Sequence, residues 1–226
     1  MYVMDIDGSN LRCITESLDQ TPSPGVWGKN SSGVYFNVRE FGQSNVYHAD
    51  IKGKVKKITN GNHMLTMNDL VGSDAVATWT DPANPSDIIS FSIDKPNKIN
   101  RLTDVNKDIF YNVEFGKVEE ITYKSVDEKY VQGWIVKPPN FDSNKKYPLV
   151  LRIHGGPHSM YHVGFNYNFQ LHAAQDQVVL YTNPRGSTGY GYDFANAIQN
   201  AYPGNDYDDI MYGVDEVISR GYIDEN

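Results

Sequence analysis

Apolar and polar residues alternate in short runs through residues 1–116, and polar turns bound each run. Val34-Tyr35-Phe36-Asn37-Val38, Val46-Tyr47-His48-Ala49-Asp50-Ile51, Ala75-Val76-Ala77-Thr78-Trp79-Thr80 and Ile89-Ser90-Phe91-Ser92-Ile93 all read as strands of period two. From residue 117 the pattern changes. Residues 120–125 and 130–137 predict a hairpin around Val126-Asp127-Glu128-Lys129. Pro138-Pro139 ends its second strand, because proline cannot donate to a ladder. Two apolar runs without alternation, residues 147–153 and 178–182, predict strands covered on both faces. Residues 169–174 predict a helix between them. Residues 207–220 predict a longer helix, with Ile210, Met211, Val214, Val217 and Ile218 on one face at helical spacing. Asp206, Asp208 and Asp209 stand where the positive end of its dipole favours them, and Arg220-Gly221 suits its carboxyl end.

The first part repeats itself. Ile14-Thr15, Ile58-Thr59 and Leu102-Thr103 each close a strand pattern, and the threonines are 44 residues apart both times. Short strands at a period of about 40–45 residues mark the four-stranded blade of a β-propeller. An antiparallel sandwich is the alternative; it accounts for the strands but not for the fixed period. Two to three repeats fall short of the roughly 4–8 blades that close a ring. The expectation is therefore the last blades of a propeller whose earlier blades are missing.

The second part centres on the turn His154-Gly155-Gly156-Pro157-His158, which follows the buried run at 147–153. Without a Cβ, glycines let backbone approach a ligand closely, and in open α/β sheets ligands bind at the carboxyl ends of strands. A glycine turn after the third strand of an α/β-hydrolase supplies an N–H to an oxyanion hole. The alternative is a plain Gly-Gly-Pro turn with no chemistry. Strand, glycine turn, helix, strand, helix is the opening of a right-handed α/β sheet. A strand leading into a Gly-x-Ser-x-Gly elbow would come next, but the sequence runs out at Asp224-Glu225-Asn226.

His154-Gly155-Gly156-Pro157, followed by Asn183-Pro184-Arg185-Gly186-Ser187-Thr188-Gly189-Tyr190-Gly191, resembles the prolyl oligopeptidase family of serine peptidases. The likeness is nearest to its acylaminoacyl-peptidase and dipeptidyl-aminopeptidase-like branch. The resemblance implies a β-propeller fragment over residues 1–116, followed by the first half of an α/β-hydrolase domain over residues 117–226, cut before the nucleophile elbow. It implies hydrolysis of short, N-terminally blocked or aminoacyl peptides through a serine acyl-enzyme. It also implies that His154 shapes an oxyanion loop in which the backbone of Gly155 and Gly156 offers the candidates for one N–H donor, the second coming from the residue after the absent serine. No cofactor is expected, and the partner is a peptide substrate, joined by a complementary chain if the rest of the catalytic domain is separate. An esterase of the same fold and a non-catalytic propeller module are the rival readings. The first does not call for the repeats and the second leaves the glycine turn without a purpose.

No triad is visible in this stretch, so the chain is expected to be inactive alone. Gly-x-Ser-x-Gly occurs nowhere. Ser187 comes nearest, but Arg185 stands where the first glycine should be, and its hydroxyl is expected to cap the following helix. Ser159 has no strand-to-helix elbow before it. His154, His158 and His162 recur at intervals of four, yet Gly155-Gly156-Pro157 breaks any helix between them, and no metal is expected. The charge of -8, from 28 acidic and 20 basic residues, argues against nucleic acid and anionic membrane surfaces. Lys52, Lys54, Lys56 and Lys57 form the one basic cluster and read as a solvated edge. Cys13 is the single cysteine, so no internal disulfide is possible, and a cytoplasmic location is the expectation.

Overall fold

In the computed structural model, which describes residues 1–156 and 158–225, the chain forms two compact units. The first holds Met1–Val105 with His162–Gly164, and the second holds Asn106–Tyr161 with residues 165–226. Residues 106–116, expected from sequence to end the first part, therefore cluster with the second. The reason is aromatic packing and one buried amide pair. Phe110 and Phe115 pack on Phe165 at centroid distances of 5.9 and 4.9 Å. Gly116 N donates to Gln170 Oε1 at 2.7 Å, and Gln170 Nε2 returns a bond to Gly116 O at 3.1 Å.

The first unit is built of strands, with one short 3-10 turn at Lys29–Ser31. β1 (Tyr2–Val3) pairs with β2 (Arg12–Cys13). Two four-stranded antiparallel meanders follow: β3 (Val26–Trp27), β4 (Gly33–Glu40), β5 (Gln43–Asp50) and β6 (Val55–Lys57), then β7 (Met64–Val71), β8 (Asp74–Thr80), β9 (Asp87–Ser92) and β10 (Lys95–Arg101). They meet at a single parallel pair, Ser44 with Met64. Alternation buries Leu65, Met67, Ala75, Ala77, Ile89 and Phe91 on one face of the second meander, as period two requires.

The 44-residue repeat has a hydrogen-bonding basis. Ile58 N and Thr59 N both donate to Val46 O, while Thr59 Oγ1 accepts from Val46 N and donates to Asn45 Oδ1. The next repeat does the same: Leu102 N and Thr103 N donate to Ile88 O, and Thr103 Oγ1 accepts from Ile88 N and donates to Asp87 Oδ1. In the first, Ile14 N donates to Met1 O and Thr15 Oγ1 takes the Met1 ammonium. Each threonine thus ties the outgoing chain back to its strand. Among the described residues no closed ring of such meanders is formed.

The second unit is a mixed sheet with helices. After the short α1 (Lys107–Phe110) come β11 (Val118–Lys124), β12 (Tyr130–Val136), β13 (Leu149–Arg152), α2 (Tyr167–Ala173), β14 (Val178–Asn183), α3 (Tyr192–Asn196) and α4 (Asn205–Ser219). The sheet order is β11-β12-β14-β13, with β13 and β14 parallel and the other pairs antiparallel. Tyr147, just ahead of β13, bonds Tyr222 O through its N–H and accepts from Asp224 N through its carbonyl, both at 2.9 Å. Pro148 O instead faces Val178 N. Since neighbouring residues of a strand point their polar groups to opposite sides, the segment 222–224 runs beside the edge of β13 that β14 leaves free, parallel to it at Tyr147–Ile223. Val131, Ile135, Val178, Leu180 and Val217 are wholly buried between sheet and helix. Gly213 lets α4 lie close, because a Cβ there would stand 2.6 Å from the Tyr123 hydroxyl. No helix among the described residues is long and apolar enough to cross a membrane.

Candidate active site

Parallel β13 and β14 end on the same side of the sheet, so the loops that follow them are neighbours. A cleft of about 810 Å³ opens there, with Ile153, His154, Gly155, Gly156, Pro184 and Arg185 among its walls and the start of α4 beside them. Gly155 and Gly156 are exposed. Among the described residues no group accepts from either N–H. Gly156 has φ +144°, a conformation that favours glycine, and an added Cβ would meet His158 N at 3.0 Å. Pro157, expected in this turn, lies outside the described residues.

His154 closes the strand end. Its ring packs edge-on against Tyr161 at 5.2 Å between centroids, and its Nε2 lies 2.9 Å from Ser187 Oγ. That separation is the reach of a nucleophile and its base. The surroundings say otherwise. Ser187 is 1% exposed, and its hydroxyl donates to Pro184 O at 2.6 Å. The single hydroxyl proton is thereby committed, so Ser187 accepts from His154 Nε2–H. The other ring nitrogen faces Gly155 O at 3.3 Å, where a triad would have a carboxylate. Burial holds the His154 pKa below the ordinary histidine value, against a smaller upward pull from the Gly155 carbonyl.

Ser187 was expected to cap the next helix. It does not: α3 begins after Gly191 without a side-chain cap, and the Ser187 hydroxyl serves its own turn and His154 instead. Ser159 is likewise used through its backbone, its carbonyl accepting from Thr188 N at 2.8 Å. The three histidines at intervals of four have separate partners. His158 Nδ1 donates to Gly186 O at 3.1 Å, and His162 Nδ1 accepts from Gly164 N at 3.1 Å. Among the described residues no three metal-ligating side chains converge.

Three residues matter that sequence reasoning passed over or read otherwise. Asp209, read as a helix-dipole partner, is wholly buried and accepts from Arg185 N, Nε and Nη2, each at 2.8 Å, and from Ser125 Oγ at 2.6 Å. Arg185 is 9% exposed and also reaches Val126 O and Asp127. Asn183, the last residue of β14, is wholly buried and holds both polar groups of the Tyr161 backbone, at 2.7 and 2.9 Å. A charged residue in an otherwise small, polar turn was the available signal for Arg185. Nothing local announced its partner.

Residues 163–226 match the model of the prolyl oligopeptidase family. Nearly the whole chain is similar to the uncharacterized peptidase YuxL of Bacillus subtilis, 34% identical over 238 residues that cover 97% of this chain and 36% of that protein. Dipeptidyl-peptidase 5 of Porphyromonas gingivalis is 27% identical over 227 residues, covering 99% of this chain and 33% of its own. Among solved structures, the acylaminoacyl peptidase of Pyrococcus horikoshii superposes with a TM-score of 0.82 at 28% identity, over 95% of this chain and 34% of that one. The chain spans about a third of the length of the relatives it matches.

Proposed function

We propose that this chain, related to the prolyl oligopeptidase family of peptidases, forms part of a serine-type peptidase acting on short, N-terminally blocked or aminoacyl peptides. The observation that carries the reading is the pair of open N–H groups on Gly155 and Gly156, at the carboxyl end of β13 in a cleft of about 810 Å³. Donors fixed where negative charge develops are the largest single contribution to acyl transfer in many enzymes. The nucleophilic serine sits outside these residues, on a strand that continues along the free side of β13, where 222–224 already runs parallel. A base in the same outside segment takes its hydroxyl proton and later gives it to the leaving amine. The serine oxygen bonds to the peptide carbonyl carbon, and the carbonyl π pair moves onto oxygen, which the Gly155/Gly156 loop holds. Collapse expels the amine with a proton and leaves an acyl-enzyme, which water then hydrolyses. A second N–H comes from the residue after that serine. On this reading the two meanders of the first unit are propeller blades.

The test has two arms. A fluorophosphonate probe is expected to leave this chain unlabelled. The chain joined to the segments that its relatives carry beyond the aligned region is expected to be labelled and to hydrolyse chromogenic peptides. In that longer protein Gly156→Val keeps the backbone N–H but crowds it and strains its φ of +144°, misdirecting one oxyanion donor, and kcat is expected to fall by about 10²–10³. Stoichiometric labelling of Ser159 or Ser187 in the chain alone would put the chemistry on the wrong residues.

A further inference from the structure

The glycine loop does little to hold its own shape. Its tip is two exposed glycines, and among the described residues of 154–161 the nearest polar approach is His154 Nδ1 facing Gly155 O at 3.3 Å, across which a neutral Nε2–H ring has no proton to share. Glycine loses more backbone freedom on ordering than any other residue, so a loop of this kind is costly to fix. Its constraints come from outside. Five hydrogen bonds tie it to the turn at 183–188: His154 Nε2 to Ser187 Oγ at 2.9 Å, His158 Nδ1 to Gly186 O at 3.1 Å, Thr188 N to Ser159 O at 2.8 Å, and both amide atoms of Asn183 to the backbone of Tyr161. They are spread along the loop, on either side of the glycines.

The turn that makes these bonds is itself clamped. Residues 183–187 are all buried. Arg185 grips Asp209 on α4 with a bidentate fork and adds its backbone N–H to the same carboxylate. Ser125, at the end of β11, donates to that carboxylate as well. A planar guanidinium fork on a carboxylate fixes direction as well as distance.

We propose that the 183–188 turn is a rigid template that sets the conformation of the glycine loop, with Ser187 as the positioning residue for His154 and the Arg185–Asp209 pair anchoring the template to α4. The proposal rests on the reading of the Gly155/Gly156 backbone as the source of one oxyanion donor, which it explains mechanically. Ser187 touches no substrate. It acts by accepting the His154 Nε2 proton, which fixes the ring against Tyr161 and with it the start of the loop.

The proposal specifies a tautomer, and this can be read in the chain as it is. Long-range nitrogen–proton NMR of the imidazole is expected to show His154 as the Nε2–H form at neutral pH. Ser187→Ala removes the acceptor and is expected to move the ring toward the Nδ1–H form, donating to Gly155 O, with new or broadened amide resonances for Gly155 and Gly156. Ser159→Ala, whose hydroxyl the template does not use, is expected to leave all three signals in place. A fluorine label on buried Trp134 reports whether each variant is folded. An Nδ1–H form in the parent overturns the proposal, and that measurement needs no variant to fold. So do unchanged Gly155 and Gly156 resonances in a folded Ser187→Ala protein. None of these readouts depends on turnover, so an inactive longer protein would count against the proposed function and not against the template.

Discussion

The two loops that leave β13 and β14 start from the same parallel pair and end with opposite characters. The loop at 154–161 is largely open, with Gly155, Gly156 and His158 exposed. Residues 183–187 of the neighbouring turn are sunk in the unit, with Asn183 wholly buried and Ser187 and Arg185 1% and 9% exposed, and Thr188 at its end is exposed. One presents unbonded N–H groups; the other uses its polar atoms on neighbours. The difference separates two tasks that a single loop performs badly together. Groups meant for a ligand must stay unpaired in the free protein, while the geometry that makes them useful must be paired heavily. Here adjacent loops divide that work.

The hardest blow to this arrangement is the loss of its anchor. Asp209→Ala leaves the buried Arg185 guanidinium with only Val126 O and the exposed Asp127 carboxylate, at 3.3 and 3.4 Å, and breaking a buried pair from one side typically costs about 3–5 kcal/mol. Urea unfolding followed by a fluorine label on Trp134 is expected to show that loss in the second unit. That residue suits the purpose because it is stacked on Tyr181 at 5.2 Å, deep in the sheet. A change of less than about 1 kcal/mol would mean that the clamp is ornamental, since exposed pairs are worth no more than that.

Much of this part of the fold was legible in the sequence, and the reasons are physical. Unalternating apolar runs at 147–153 and 178–182 became β13 and β14, though only β14 is covered on both faces and β13 is half-buried, and the apolar stripe at 207–220 became α4 within a residue or two at each end. Such elements are local, fixed by periodicity. The threonine repeat was visible as spacing, but its meaning, a side chain bonded to the strand it closes, needed coordinates. The glycine turn was visible because glycine has few other uses at a strand end. The template was not visible. Arg185 and Asp209 are 24 residues apart, and Asn183 meets Tyr161 across 22. Nothing in a short window distinguishes a buried ion pair from a solvated arginine and a dipole-favoured aspartate. Ser187 was misread for the same reason: a serine in a turn offers several local bonds, and the one it makes is to a histidine 33 residues earlier.

A pair of glycine substitutions sharpens the contrast at smaller energy. Gly186 in the template has φ +96°, and an added Cβ would lie 2.7 Å from Ile198 Cδ1. Gly155 in the open loop has empty space within 4 Å of the same position. Gly186→Ala is therefore expected to cost about 1–3 kcal/mol, the usual range for a side chain forced into a glycine conformation. Gly155→Ala is expected to stay within about 0.5 kcal/mol, as for other unhindered surface changes. The same urea midpoints decide it. Equal costs at the two positions would erase the distinction between a packed template and an open loop.

The smallest effect concerns His154, which stands where the two loops meet. Burial lowers its pKa in the folded chain, whereas in the unfolded chain it titrates near the usual value of about 6.5. The neutral ring is the form the fold accommodates. Its contribution is complete above about pH 6.5 and is lost as pH falls through that value toward the folded one, because the unfolded chain takes up the proton first. The urea midpoint of the second unit should therefore fall on acidification from about pH 8 to about pH 5. His154→Gln, which keeps a donor for Ser187 but cannot titrate, should fall less over the same interval. His48, His63 and His162 are also lowered by burial, but they belong to the first unit, so the Trp134 signal separates their effect from that of His154. Parallel pH profiles for parent and variant would show that the ring between the loops is not held neutral by its surroundings, and the junction would then be looser than its hydrogen bonds indicate.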